Sequence, residues 1–237
     1  MRTSRNGYRT GFLCLLALTL SVGSMANSEE FWSRFRGPDG FGKSAARAEL
    51  VVAIYGKVLA LDPDSGESLW SCATLIGWYM VPSIVAADGV VYCLGGRSGT
   101  AALAIRAGGT GDVTDTHRLW TSTKGSNVSS PVVHQSHLYW THDQLGIAYC
   151  ASVTDGKILY EQRLERAGQF YSSALLADGK LYYPTRDGKM FIRAEQPRFE
   201  QLAVNRFSGR SMYNGSPAVA GNRLLIRSDN YLYCVGK

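Results

Sequence analysis

No apolar run in this 237-residue chain is long enough to cross a bilayer. The most apolar stretch, Gly11 to Val22, is 12 residues, where roughly twenty are needed. No segment sustains apolar residues at i, i+3, i+4 and i+7, so no helix is predicted. No Lys/Arg block stands out, which argues against a nucleic-acid partner. A hydrolase nucleophile elbow of the Gly-x-Ser-x-Gly kind is missing, and Lys124-Gly125-Ser126 lacks the upstream glycine of a phosphate loop. Acidic and amide residues are nowhere spaced as in a calcium loop. Histidine is scarce. Three of the four, His134, His137 and His142, cluster around one hairpin. His137 and His142 are five apart on one strand, and a period of two sends them to opposite faces, so the cluster reads as a solvated hairpin tip rather than a metal site.

The N-terminus carries Arg2, Arg5 and Arg9, then the short apolar run, then Ser24 and Ala26 at the −3 and −1 positions of a cleavage site before Asn27. This is the pattern of a secretory signal over residues 1–26, leaving a mature chain of 211 residues with 22 basic and 19 acidic side chains. The expected location is therefore periplasmic or extracellular. Cys14 lies inside the apolar run and no cysteine sits at the cleavage point, so no lipid anchor is expected. Cys72, Cys93, Cys150 and Cys234 remain. Export permits disulfides among them, but Cys150 and Cys234 fall at one repeat-equivalent position and read as small core residues.

Residues 60–70, Ala-Leu-Asp-Pro-Asp-Ser-Gly-Glu-Ser-Leu-Trp, join two short apolar runs through Asp-Ser-Gly, a combination that supplies the side-chain bonds and positive φ of a tight reversal. The layout recurs. Ala60 has equivalents at Ala104, Cys150, Ile192 and Cys234, with steps of 44, 46, 42 and 42 residues. Ten residues on stand Trp70, Tyr160 and Leu202. In the second copy Trp120 comes sixteen on, the excess falling in a Gly/Thr/Asp-rich loop at 107–115. Turns match at Asp88-Gly89, Gln135-Ser136, Asp178-Gly179 and Gly221-Asn222, and copy starts at Pro82, Pro131, Ala174 and Pro217. About five such copies predict an all-β propeller of four-stranded blades over 49–237, preceded by an extended segment at 27–48. Small twisted sheets without covering helices bury both faces only by stacking around an axis. The first copy has three strands and the last also lacks its outer one. Either the aromatic-rich residues 31–36 close the ring, or the blades form an open arc; the arc is favoured.

The sequence Ala60-x-Asp62-x-x-Ser65-Gly66-x-x-x-Trp70 resembles the tryptophan-docking motif of the pyrroloquinoline-quinone-like β-propeller family. Trp32 followed by Phe35-Arg36-Gly37-Pro38-Asp39-Gly40 is similar to the mature N-terminus of its exported bacterial members. The resemblance implies that Trp70, and Trp120 in the second copy, pack between blades and that Gly66 makes the turn. Family quinoproteins share an adjacent-cysteine pair, a calcium site and a catalytic Asp. No two cysteines are adjacent here, so no catalytic residue, cofactor or metal is expected. The expected function is a non-catalytic binding or scaffold module for protein partners, or one that self-associates, resembling outer-membrane assembly propeller subunits. The alternatives are a degenerate quinoprotein-type oxidoreductase and a truncated remnant of a larger propeller. Trp78 and Tyr79, beside Ile76 and Met80 between the first two copies, form a candidate partner contact.

Overall fold

The computed structural model describes residues 49–78, 80–97 and 99–236. The expected signal at 1–26, the segment at 27–48 with residues 31–36, and Tyr79 lie outside the described residues. What is described is nearly all β. The first sheet contains β1 (Leu50–Ile54), β2 (Lys57–Leu61) and β3 (Ser68–Ala73). The second contains β4 (Val85–Ala87), β5 (Val90–Gly95), β6 (Ala101–Arg106) and, after an excursion through β7 (Gly111–Asp112) and the one-turn helix α1 (Thr114–His117), β8 (Arg118–Ser122). The third runs β9 (Val132–His134), β10 (His137–Thr141), β11 (Ile147–Ser152) and β12 (Ile158–Arg163). The fourth runs β13 (Leu175–Ala177), β14 (Lys180–Pro184), β15 (Lys189–Ala194) and β16 (Gln201–Arg206). The fifth is β17 (Ala218–Ala220), β18 (Arg223–Arg227) and β19 (Leu232–Val235).

Four sheets are four-stranded and the fifth three-stranded, each an antiparallel meander apart from β7. These are propeller blades. No described strand joins the first sheet to the fifth, the arrangement of an open or incomplete ring. Consecutive hairpins dominate because two-residue turns with positive φ match the right-handed twist of the strands; Asp88 and Gly89 (φ 51° and 73°) and Asp178 and Gly179 (φ 49° and 64°) supply it.

The second-copy loop does more than lengthen a turn. Its β7 runs parallel to β3 of the first blade, pairing Trp70 with Gly111 and Ser71 with Asp112. The Val113 N–H donates to the Ser71 carbonyl at 2.9 Å, and the Ala73 N–H to Thr114 Oγ1 at 2.8 Å. Asp112 Oδ1 accepts from the Thr114 N–H and hydroxyl at 2.9 and 2.6 Å, which holds the strap in shape. So the first blade has a fourth strand after all, borrowed from its neighbour.

The register corrects the repeat in detail. In each of the first four blades the strand carrying Ala60 or its equivalent and the strand after it are offset by one β-bulge, and the pairs at the bulge are Ala60 with Trp70, Ala104 with Trp120, Cys150 with Tyr160, and Ile192 with Ala203. The extra residue is leucine each time: Leu69, Leu119, Leu159 and Leu202. Leu202 is therefore the bulge residue, exposed at 45 %, and Ala203 stands at the docking position. A fourth-blade connection one residue longer than in the first and third accounts for the slip.

The blades start on serines rather than on the prolines beside them. Ser83, Ser130, Ser173 and Ser216 form a ladder from blade to blade. The backbone N–H of each of the first three donates to the next serine's Oγ, at 2.8, 3.0 and 2.9 Å. Each serine lies nine residues before the strand residue facing the docking-site alanine or its equivalent: Tyr92, Tyr139, Tyr182 and Leu225. Pro82 precedes its serine whereas Pro131 and Pro217 follow theirs, so Pro82 is out of phase with them.

Candidate interaction surfaces

The residues of the docking motif make a turn and a plug. Asp62 Oδ1 accepts from the backbone N–H groups of Asp64 and Ser65 at 3.0 and 2.8 Å and from the Ser65 hydroxyl at 3.1 Å. Gly66, at φ 73°, donates its N–H to the Asp62 carbonyl at 2.8 Å. The third blade repeats the backbone pattern with Ser152 in place of Asp62: Gly156 donates to its carbonyl at 3.0 Å, and its own N–H reaches the Lys157 carbonyl at 3.0 Å. The turn then brings the chain back so that one large side chain enters the seam between sheets.

Ala60 and Trp70 are fully buried at the first seam, among Val58 and Cys72 of the first blade and Val91, Leu103 and Ile105 of the second. The Trp70 indole N–H donates to Glu49 Oε2 at 3.0 Å. At the second seam Trp120, 9 % exposed, packs with Leu138, Trp140 and Tyr149, and its indole N–H reaches the Val153 carbonyl at 2.8 Å. The ring lies flat against Gly156, where a Cβ would come within 2.6 Å of Cε3, so glycine is required there. Tyr160 fills the third seam. Its hydroxyl accepts from Arg193 Nη1 at 2.7 Å, and the fully buried guanidinium stacks between the Tyr160 and Phe199 rings at 4.4 and 4.1 Å. Aromatic faces stand in for a counter-ion.

The fourth seam differs. Its core is Met190, Tyr213 and Ile226, and beside them lies a cleft of 640 Å³ lined by Tyr182, Ile192, Asn205, Phe207, Val219, Leu224 and Val235. A methyl group, Ala203, occupies the position that Trp70, Trp120 and Tyr160 hold elsewhere. Aromatic rings bury roughly 150–250 Å² each, and without one the two sheets leave a gap.

The connection between β3 and β4 makes a different surface. Ile76 is buried and anchors it, whereas Leu75, Trp78 and Val81 are 78 %, 42 % and 56 % exposed. Leu75 sits at φ 61°, in the left-handed region that residues other than glycine seldom occupy. The candidate contact Trp78 is on this loop; its companion Tyr79 is outside the described residues.

The remaining chemistry-bearing side chains are dispersed. His134 and His137 face each other across one hairpin, and His134 Nε2 lies 3.6 Å from Glu195 Oε2. His142 is at the far end of β10, where its Nδ1 accepts from the Gln144 and Leu145 N–H groups, both at 3.3 Å. Burial lowers its pKa, partly countered by the Asp143 carboxylate. Cys72, Cys93 and Cys150 are buried free thiols, and burial pushes Cys93 and Cys150 up to about 12. Cys234 is exposed rather than a core residue, because its face of the fifth sheet has no covering sheet among the described residues. Among the described residues no three His, Cys, Asp or Glu side chains converge as metal ligands, and no helix is long and apolar enough to cross a membrane.

The class of protein these sheets define, a β-propeller, is also what comparison with solved structures returns. The chain is similar to BamB from Moraxella catarrhalis, with a TM-score of 0.58 at 13 % identity over 78 % of this chain and 56 % of that one. It is similar as well to the computationally designed protein Ika8, with a TM-score of 0.61 at 10 % identity over 80 % of this chain and 55 % of that one. It thus spans little more than half the length of either. No family model matches the chain, and no curated protein matches it.

Proposed function

We propose that this chain is an exported, non-catalytic β-propeller of the pyrroloquinoline-quinone-like type that holds protein partners through its loops and strand edges, as outer-membrane assembly propeller subunits do. The observation that carries the reading is the β3–β4 loop. Three apolar side chains of this one loop, Leu75, Trp78 and Val81, are exposed, one of them from a strained backbone. Displaying such groups costs solvation free energy and marks a contact surface. The likeness of fold to BamB supports a scaffold role, and the Arg-rich, apolar, Ser24–Ala26 pattern at the N-terminus supports export.

Two experiments on the full chain test the proposal. A photo-crosslinker at position 78, in cells that produce the protein, should trap a defined protein partner, and the same label on the exposed Lys157 should not. Titration with pyrroloquinoline quinone and calcium, followed by a dye-reduction assay with simple alcohols and sugars, should show no saturable binding and no turnover. Micromolar binding with dye reduction would replace the scaffold reading by the oxidoreductase one.

A further inference from the structure

We propose that the cleft between the fourth and fifth blades is a binding site for one aromatic side chain of a partner, presented by a short acidic, extended segment. The inference rests on the protein-binding reading and gives it a specific site. The ligand class follows from the molecule's own precedent. Three successive seams are each filled by a ring from the residue beside the bulge leucine: Trp70, Trp120 and Tyr160. At the fourth seam the same position is Ala203, paired with Ile192 and two residues before Asn205 on one strand face, and Ile192 and Asn205 both line a cleft of 640 Å³. That volume lies within the range of small-ligand pockets, roughly 300–1,000 Å³.

Its walls suit a ring. Ile192 and Phe207 line one side and Leu224 and Val235 the other, with Asn205 at the margin to accept an indole N–H or phenol O–H. Val235 and Asn205 are both exposed, which leaves an entry from solvent. The charge around the opening favours an acidic escort. Arg223 borders the cleft, and the three strands of the fifth blade carry no acidic residue. The Asp178 carboxylate at the margin is already paired with Lys180. A second copy presenting its own cleft rim here would set Arg223 against Arg223, so an acidic partner fits the cleft better than self-pairing.

The test uses the full chain and the peptide Ac-Asp-Glu-Trp-Glu-Asp-amide, with its Trp→Ala counterpart, in isothermal titration calorimetry. The Trp peptide should bind one-to-one, roughly tenfold or more tightly than the Ala peptide, and should weaken as salt rises. Ala203→Trp supplies the missing ring from within. It should abolish peptide binding while melting at or above the wild-type temperature. Should that variant misfold, the exposed substitution Arg223→Glu should still weaken the Trp peptide roughly tenfold and remove its salt dependence. Equal affinity for the two peptides, no binding at all, or binding indifferent to both substitutions would sink the assignment. So would loss of self-association in Ala203→Trp, which would put a second copy in the cleft. If Ala203→Trp lost the peptide but kept the position-78 crosslink, both assignments would stand as separate sites. If peptide binding failed and the crosslink persisted, only the cleft would be lost.

Discussion

A single aromatic ring decides how tightly two blades close on each other. Trp120 lies against Gly156 and donates its N–H to a backbone carbonyl of the next blade, so it joins the sheets by packing and by a hydrogen bond. Trp120→Ala should cost about 3–5 kcal/mol, read as a lowered midpoint in urea unfolding. An unchanged midpoint would mean that the seam is not cooperative with the rest. The Cys93 thiol, at the first seam with Trp70, sets an alkaline limit. Burial raises Cys93 from an ordinary 9 to about 12, so the folded form keeps its proton where the unfolded form loses it. The stabilisation is complete below pH 9 and erodes as pH rises from 9 towards 12. Cys93→Ala should lower the melting temperature at pH 7 by creating a cavity, yet flatten its decline between pH 8 and 10.5. His142, with its pKa lowered by burial, has the opposite sense: its contribution is present above the ordinary histidine value and fades as pH falls through the lowered one.

Two devices tie blade to blade besides the rings. One is the serine ladder at the inner strands, where a hydroxyl on each blade receives the backbone N–H of the blade before it. Ser173→Ala removes the acceptor of the buried Ser130 N–H. It should cost about 1–3 kcal/mol, the penalty of a buried donor left without a partner, and a substitution within 0.3 kcal/mol of neutral would show that water takes over the role. The other is the β7 strap on the outer edge of the first blade, which covers a strand edge that would otherwise be open to pairing. Among the described residues the fifth blade has no such cover on β19, where Leu232 is 68 % exposed.

Across the whole molecule, those open edges predict association. Five blades whose terminal sheet has no cover among the described residues should show mass rising with concentration in sedimentation equilibrium, through β19 and its exposed face rather than through the interblade cleft. A strictly monomeric species from micromolar to hundreds of micromolar would count against an open arrangement.

Much of this was legible in the chain itself. The phase of Ala60, Ala104, Cys150, Ile192 and Cys234 announces repeated hairpins, because strand period and turn chemistry are local properties of a few neighbouring residues. The ladder serines carried a signal too, a fixed nine-residue lead over Tyr92, Tyr139, Tyr182 and Leu225, hidden because prolines near the same points are more conspicuous. Other features depended on which strand lies beside which. One extra residue in a connection moves the docking position from Leu202 to Ala203, and only the bulge register reveals it. The loop at 107–115 reads as an insertion until β7 is seen on a neighbouring blade. Cys150 and Cys234 are equivalent in sequence and opposite in burial. Local chemistry determines hairpins and their repeat; whether a face meets another sheet, a ring or solvent is decided by tertiary packing, since burial is a property of what comes to lie opposite.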